Sequence, residues 1–141
     1  MADYFDAGKY GAICVVGPFT AANVTTGASN QDMVIGQSSD RVTMPMGGSV
    51  IGVAARSTEV IETAGTVTVR AHSASTEFAD SGYPAPVLTT AATSSYATQR
   101  PGAVTFSAGD NLGLSLSSTT TLDPTNSLDV DAYLFVQFDP S

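Results

Sequence analysis

Two aspartates one residue apart, Asp129 and Asp131, are the first candidates for chemistry in this 141-residue chain. At i and i+2 of an extended strand they share a face, with carboxylates about 7 Å apart. That spacing would let them share a cation or pair with a basic neighbour; it equally describes two solvated side chains. Calcium prefers six or more oxygens, and the adjacent sequence supplies no such set. Acid–base work would need a second acid converging from another strand. The single histidine, His72, lies on the polar side of an alternating run. Alone it builds no multi-histidine metal site, and no cysteine cluster supplies the missing ligands. Cys14 lies in the apolar run Ala12-Ile13-Cys14-Val15-Val16 without a cationic neighbour, so it reads as a small buried hydrophobe rather than a reactive thiolate. No Gly-x-Ser-x-Gly elbow and no glycine-rich strand–loop–helix context is present. The sequence therefore predicts no catalytic residue, no metal, no cofactor and no small-molecule substrate.

Composition narrows the partners. Charged residues make up 13% of the chain and the net charge is −8; the charged share is about half that of an ordinary globular protein. Such an acid excess argues against nucleic acid and anionic membrane as partners and suits a basic surface. The first residues are acidic where a secretory signal would be basic, and no apolar run approaches the roughly 20 residues of a membrane span. Synthesis and assembly in the cytosol is the expectation. The length predicts one domain, 12–141, preceded by an arm, 1–11.

The elements that would position these residues are strands. Residues 49–59 and 66–72 read as two long strands joined by a turn at 62–65, forming a central pair. The first carries two apolar registers, Val50/Gly52/Ala54 and Ile51/Val53/Ala55, so both of its faces look covered. Residues 12–16 make a strand ended by Gly17-Pro18, followed by a loop over 20–30. Residues 31–35 make another strand, and Pro45 confines 41–44 to an edge. Loops are expected at 75–85 and 91–102, with brief strands at 86–89 and 103–106. Leu112, Leu114 and Leu116 alternate with Gly113, Ser115 and Ser117. The closing strand, 127–138, has the longest clean period: Leu128, Val130, Ala132, Leu134, Val136 and Phe138 on one face. Burying that face contributes on the order of 10 kcal/mol before conformational entropy is charged. No segment reads as a three-turn helix. About eight or nine short antiparallel strands predict an all-β sandwich, foremost a jelly roll.

Two aromatic features point outward. Tyr133 and Phe135 share the face of Asp129 and Asp131, opposite the core. Either a long loop of the same chain or a sister subunit would cover them, and the second makes these four residues a candidate subunit interface. The arm carries Tyr4, Phe5 and Tyr10, which are costly to leave in water. Packing on the chain itself, on a sister subunit or on a different partner would each account for them.

The ordered set Gly48-Ser49-Val50-Ile51-Gly52-Val53, Thr63-Ala64-Gly65-Thr66-Val67-Thr68-Val69, Val104-Thr105-Phe106-Ser107-Ala108-Gly109-Asp110-Asn111-Leu112-Gly113-Leu114 and the closing strand to Phe138 resembles the small head-decoration, or cement, proteins of tailed bacteriophages. The resemblance runs over about residues 48–138 and leaves the first 47 unmatched. It implies a jelly-roll subunit, commonly a homotrimer, on the exterior of the virion, made in the host cytoplasm. The implied partner is the major capsid protein, whose neighbouring capsomers it ties together without catalysis. Chain ends and loops often clamp in that family, which makes Tyr4, Phe5 and Tyr10 and the loops near 20–30 and 75–102 the candidate capsid contacts. The alternative is a trimeric carbohydrate- or receptor-binding head of a virion fibre, with Tyr83 and Tyr96 as its aromatic platform.

Overall fold

The structure is a computed structural model that describes residues 11–73 and 85–140. Tyr4, Phe5, Tyr10 and Tyr83 lie outside the described residues, as does most of the expected loop at 75–85. The strands are β1 Ile13–Val24, β2 Gln31–Asp32, β3 Val34–Ile35, β4 Val42–Thr43, β5 Gly48–Ser57, β6 Val67–Ser73, β7 Val87–Leu88, β8 Ser94–Thr98, β9 Thr105–Phe106, β10 Asn111–Ser118 and β11 Leu128–Phe138. No helix occurs among the described residues.

Four antiparallel pairs are nested in the chain: β1 with β11, β2 with β10, β5 with β8, and β6 with β7. Alternate pairs go to alternate sheets. One sheet has the order β3-β1-β11-β5-β8, with β9 added to β5; the other has β2-β10-β6-β7, with β4 added to β10. A long hairpin folded over on itself in this way is the jelly roll. The fold is thus the expected all-β sandwich. The two-residue strands β3, β4 and β9 are additions to the eight that make the roll.

The core lies between the sheets. From β11, Leu128, Val130, Ala132, Leu134 and Val136 point inward and are buried, as the period of two requires. Val67, Val69 and Ala71 of β6 and Leu112, Leu114 and Leu116 of β10 face them.

Several local expectations are corrected. The strands at 49–59 and 66–72 do not pair: β5 and β6 belong to different sheets, and the turn between them crosses the sandwich. The two apolar registers of β5 mark a bulge. Phe135 is opposite Gly52 but Val136 is opposite Val50, so Ile51 is an extra residue that switches the inward register from Val50 to Val53 and Ala55. β1 does not stop at Gly17-Pro18. It continues to Val24 through two register shifts, the first leaving Gly17 and Pro18 opposite Tyr133 alone. A proline needs no ladder partner in a bulge. Residues 20–24, expected as loop, are therefore strand and carry the core side chains Ala21 and Val24, next to the buried Phe19. The strand expected at 31–35 is split: β2 joins one sheet and β3 the other, and the chain crosses at the fully buried Met33. Within the loop expected at 91–102, β8 forms an edge strand.

Candidate functional site

The six-stranded sheet carries Ile13, Val15, Tyr96 and Tyr133, four of the seven large apolar side chains exposed among the described residues. Because Ala132 and Leu134 face the core, Asp131, Tyr133 and Phe135 face out. The register sets these in three rows across β11, β5 and β8. Asp131 is level with Arg56 and Ser94, Tyr133 with Ala54 and Tyr96, and Phe135 with Gly52 and Thr98. Small residues on β5 between larger ones on its neighbours make a groove. Its polar half, about 560 Å³, is lined by Arg56, Asp131, Ser94 and the two tyrosines. Its apolar half, about 420 Å³, is lined by Ile51, Gly52, Phe135, Thr98 and Tyr96. Tyr96 is 77% exposed and Tyr133 40%. The ring of Tyr133 lies over Gly17: a Cβ there would come within 2.9 Å of the ring, and the φ of +148° at Gly17 belongs to a region L side chains rarely adopt.

On the other side of β11 lies an open strand edge. β3 pairs with β1 only at Phe19 and Thr20. Residues 13–16 pair with β11 alone among the described strands. Ile13 and Val15 on this edge are 64% and 55% exposed, and Val15 is level with Phe135. Soluble proteins ordinarily blunt such an edge with charge, proline or a covering segment.

The two aspartates have separate attachments. Asp129 accepts a hydrogen bond on Oδ1 from the backbone N–H of Asn23 at 2.9 Å, holding the second bulge of β1, where Asn23 has a φ of 52°. Asp131 pairs with Arg56 at 3.6 Å. The structure thus brings Tyr133, Phe135 and Asp131 to one outward face, while Asp129 is engaged in the fold. Among the described residues no three of His, Cys, Asp and Glu gather as a metal-binding group. Cys14 is half-buried and packs against the core.

A second polar cluster covers the outer face of the other sheet. His72 is 3% exposed and level with Gly113 on β10. Nη1 of Arg41 lies 2.9 Å from its Nδ1 and 3.0 Å from its Nε2, and Oδ1 of Asp32 lies 3.4 Å from Nε2. Burial holds the His72 pKa below its usual 6.5. The guanidinium of Arg41 acts in the same direction, against the opposing pull of Asp32 and Asp40. The neutral ring is then an acceptor for Arg41. Sequence gave no sign of this contact, which joins residues 31 apart. The β8 wall of the groove was also hidden: Ser94–Thr98 has no buried position to set up a hydrophobic period.

No protein-family model matches the chain, and no curated protein does. Among solved structures it is similar to a chain of the Cyanophage Pam1 capsid asymmetric unit, at 17% identity and a TM-score of 0.47, over 91% of this chain and 86% of that one. It is similar to a chain of the acidic stable capsid of Helicobacter pylori bacteriophage KHP30, at 11% identity and a TM-score of 0.46, over 92% and 95%. A chain of Turnip Yellow Mosaic Virus is similar at 10% identity and a TM-score of 0.31, over 93% and 95%.

Proposed function

We propose that the chain is a structural virion protein that decorates and cements the exterior of a phage capsid, tying neighbouring major capsid proteins together without catalysis. The observation that carries this reading is the edge of β1, where Ile13 and Val15 are exposed and, among the described residues, no second strand pairs with residues 13–16. An apolar edge of this kind is a docking surface. The resemblance over residues 48–138 supplies the partner, and the acidic chain suits a basic one.

Sister subunits of a homotrimer would extend the same contact across β11. Phe135 is level with Val15, and Tyr133 and Asp131 follow along the strand. Asp129 would contribute through the bulge it holds rather than by direct contact. Binding only where capsomers meet stabilises the assembled shell over its parts. At about a hundred times its Kd a ligand adds roughly 2.7 kcal/mol per site, and trimerisation adds avidity because further arms of the complex bind intramolecularly.

The test is co-sedimentation with shells of the phage that encodes the chain. The wild type should pellet with shells to a saturating stoichiometry, and Ile13→Asp/Val15→Asp should stay in the supernatant while remaining folded. Equal pelleting of both would remove the β1 edge from the interface; no pelleting of the wild type would remove the capsid role.

A further inference from the structure

We propose that the groove between β11 and β8 is a binding site for a neutral pyranoside, the sugar ring stacking on Tyr96 and its hydroxyls engaging Arg56 and Asp131. A single exposed tyrosine is ordinary on a protein surface. Here, however, Tyr96 and Tyr133 flank the methyl of Ala54 in one row. Two strand spacings set their backbones about 10 Å apart; the Tyr133 ring leans over Gly17 on the far side of β11, so the slot has Tyr96 as its aromatic wall, Ala54 as its small floor and Tyr133 at its rim. The groove volume falls in the range of small-ligand sites, which are mostly apolar with a few placed polar groups.

The polar groups lie one row along, about 7 Å from the aromatic row. Arg56 offers guanidinium donors and Asp131 carboxylate acceptors, 3.6 Å apart, with Ser94 completing the row. An ion pair this exposed is weakly held, so it yields readily to a ligand that replaces its hydrogen bonds. The pair also selects by charge. With the two charges 3.6 Å apart, an ion of either sign that pairs with one of them meets the like charge of the other. A purely apolar ligand would cover both charges and satisfy neither. A pyranoside meets all three conditions. One face carries C–H groups whose slight positive charge suits the negative face of an aromatic ring. Its rim carries hydroxyls that both donate and accept. Its net charge is zero.

This goes beyond the capsid reading and does not use Ile13 or Val15; it needs Tyr133 and Asp131 open to solvent, so a sugar in the groove replaces the sister-subunit contact at those two residues rather than adding to it. A decorated shell would then present many sugar-binding grooves, and weak single sites would sum by avidity. The experiment is an amide NMR titration of the full chain with methyl glycosides of glucose, galactose and mannose. At least one should give saturable shifts confined to Ala54, Arg56, Ser94, Tyr96 and Tyr133, with a Kd on the order of 1 mM. Tyr96→Ala and Arg56→Ala, both at exposed positions, should keep the native spectrum and weaken binding about tenfold each. Shell co-sedimentation should be unchanged in both, so failure here and failure of the capsid reading remain distinguishable. Three results would overturn the proposal. One is no saturable shift with any of the glycosides. Another is the same residues shifting with protein concentration alone, which would make a second copy the occupant. The third is groove shifts on replacing Tyr4 and Phe5 by serine without sugar, which would make the chain's own first residues the occupant.

Discussion

Gly113→Ala separates a packed outer face from a bare one by the sign of its effect. On a strand with open space above it, alanine in place of glycine stabilises by about 0.5–1 kcal/mol, because glycine loses more freedom on folding. Gly113 has no such space. A Cβ built there would lie 2.5 Å from the backbone oxygen of Asp40 and 2.7 and 2.9 Å from His72 ring atoms, all closer than real Cβ contacts come. The ring is pinned by Arg41, and the Asp40 oxygen is backbone, so the turn that carries both must shift. Overpacking of this kind costs about 1–3 kcal/mol. At about 2–4 °C per kcal/mol for a chain of this size, a cost near 2 kcal/mol lowers Tm by about 4–8 °C. Urea titration at neutral pH measures the loss directly. The same variant has an acid signature. His72 has its folded pKa held below the unfolded 6.5, so the unfolded chain binds the extra proton first. The associated stability is complete above pH 6.5 and falls as pH drops toward the lowered folded value, at up to about 1.4 kcal/mol per pH unit. Displacing His72 from under the turn should flatten that slope below pH 6.5. A Gly113→Ala variant as stable as wild type, with the same acid slope, would refute the packing argument.

Three further variants test the fold from the inside outward. Leu134→Ala opens the centre of the sandwich at a fully buried position and should cost about 2–5 kcal/mol by urea titration. Asp129→Ala leaves the Asn23 N–H at the second β1 bulge without its 2.9 Å acceptor and should cost about 1 kcal/mol by the same assay. Arg56→Ala removes only an exposed 3.6 Å pair, and its unfolding midpoint should stay within about 0.5 kcal/mol of wild type.

What was legible in the sequence was the part of the fold with a strict period. β11 and β10 alternate in sequence, and the inward face of β11 from Leu128 to Val136 and Leu112, Leu114 and Leu116 of β10 are buried as that period requires. In β10, however, Gly113 and Ser115 on the other face are buried as well, Gly113 beneath the turn carrying Asp40 and the His72 cluster. Interrupted periods were harder. In β5 the two apolar registers pointed to two covered faces, whereas one bulged residue, Ile51, accounts for both. Gly17-Pro18 carries a strong stop signal, and β1 passes through it because a bulge asks for no proline N–H. The pairing of β5 with β8 rather than with its sequence neighbour β6 depends on the nested topology, which no local pattern encodes. The outward position of Tyr133, Phe135 and Asp131 was readable from the parity of β11. The groove was not, since its far wall is a polar edge strand and its floor is the small residues Gly52 and Ala54.

The central claim, that this chain stabilises an assembled shell, is tested most directly by melting shells with and without it. Shells of the encoding phage, stripped of the chain and then titrated with the purified protein, should show a dissociation midpoint that rises with added protein and saturates at full occupancy. The Ile13→Asp/Val15→Asp variant should leave the midpoint of bare shells unchanged. A midpoint that does not move with saturating wild-type protein would contradict the account.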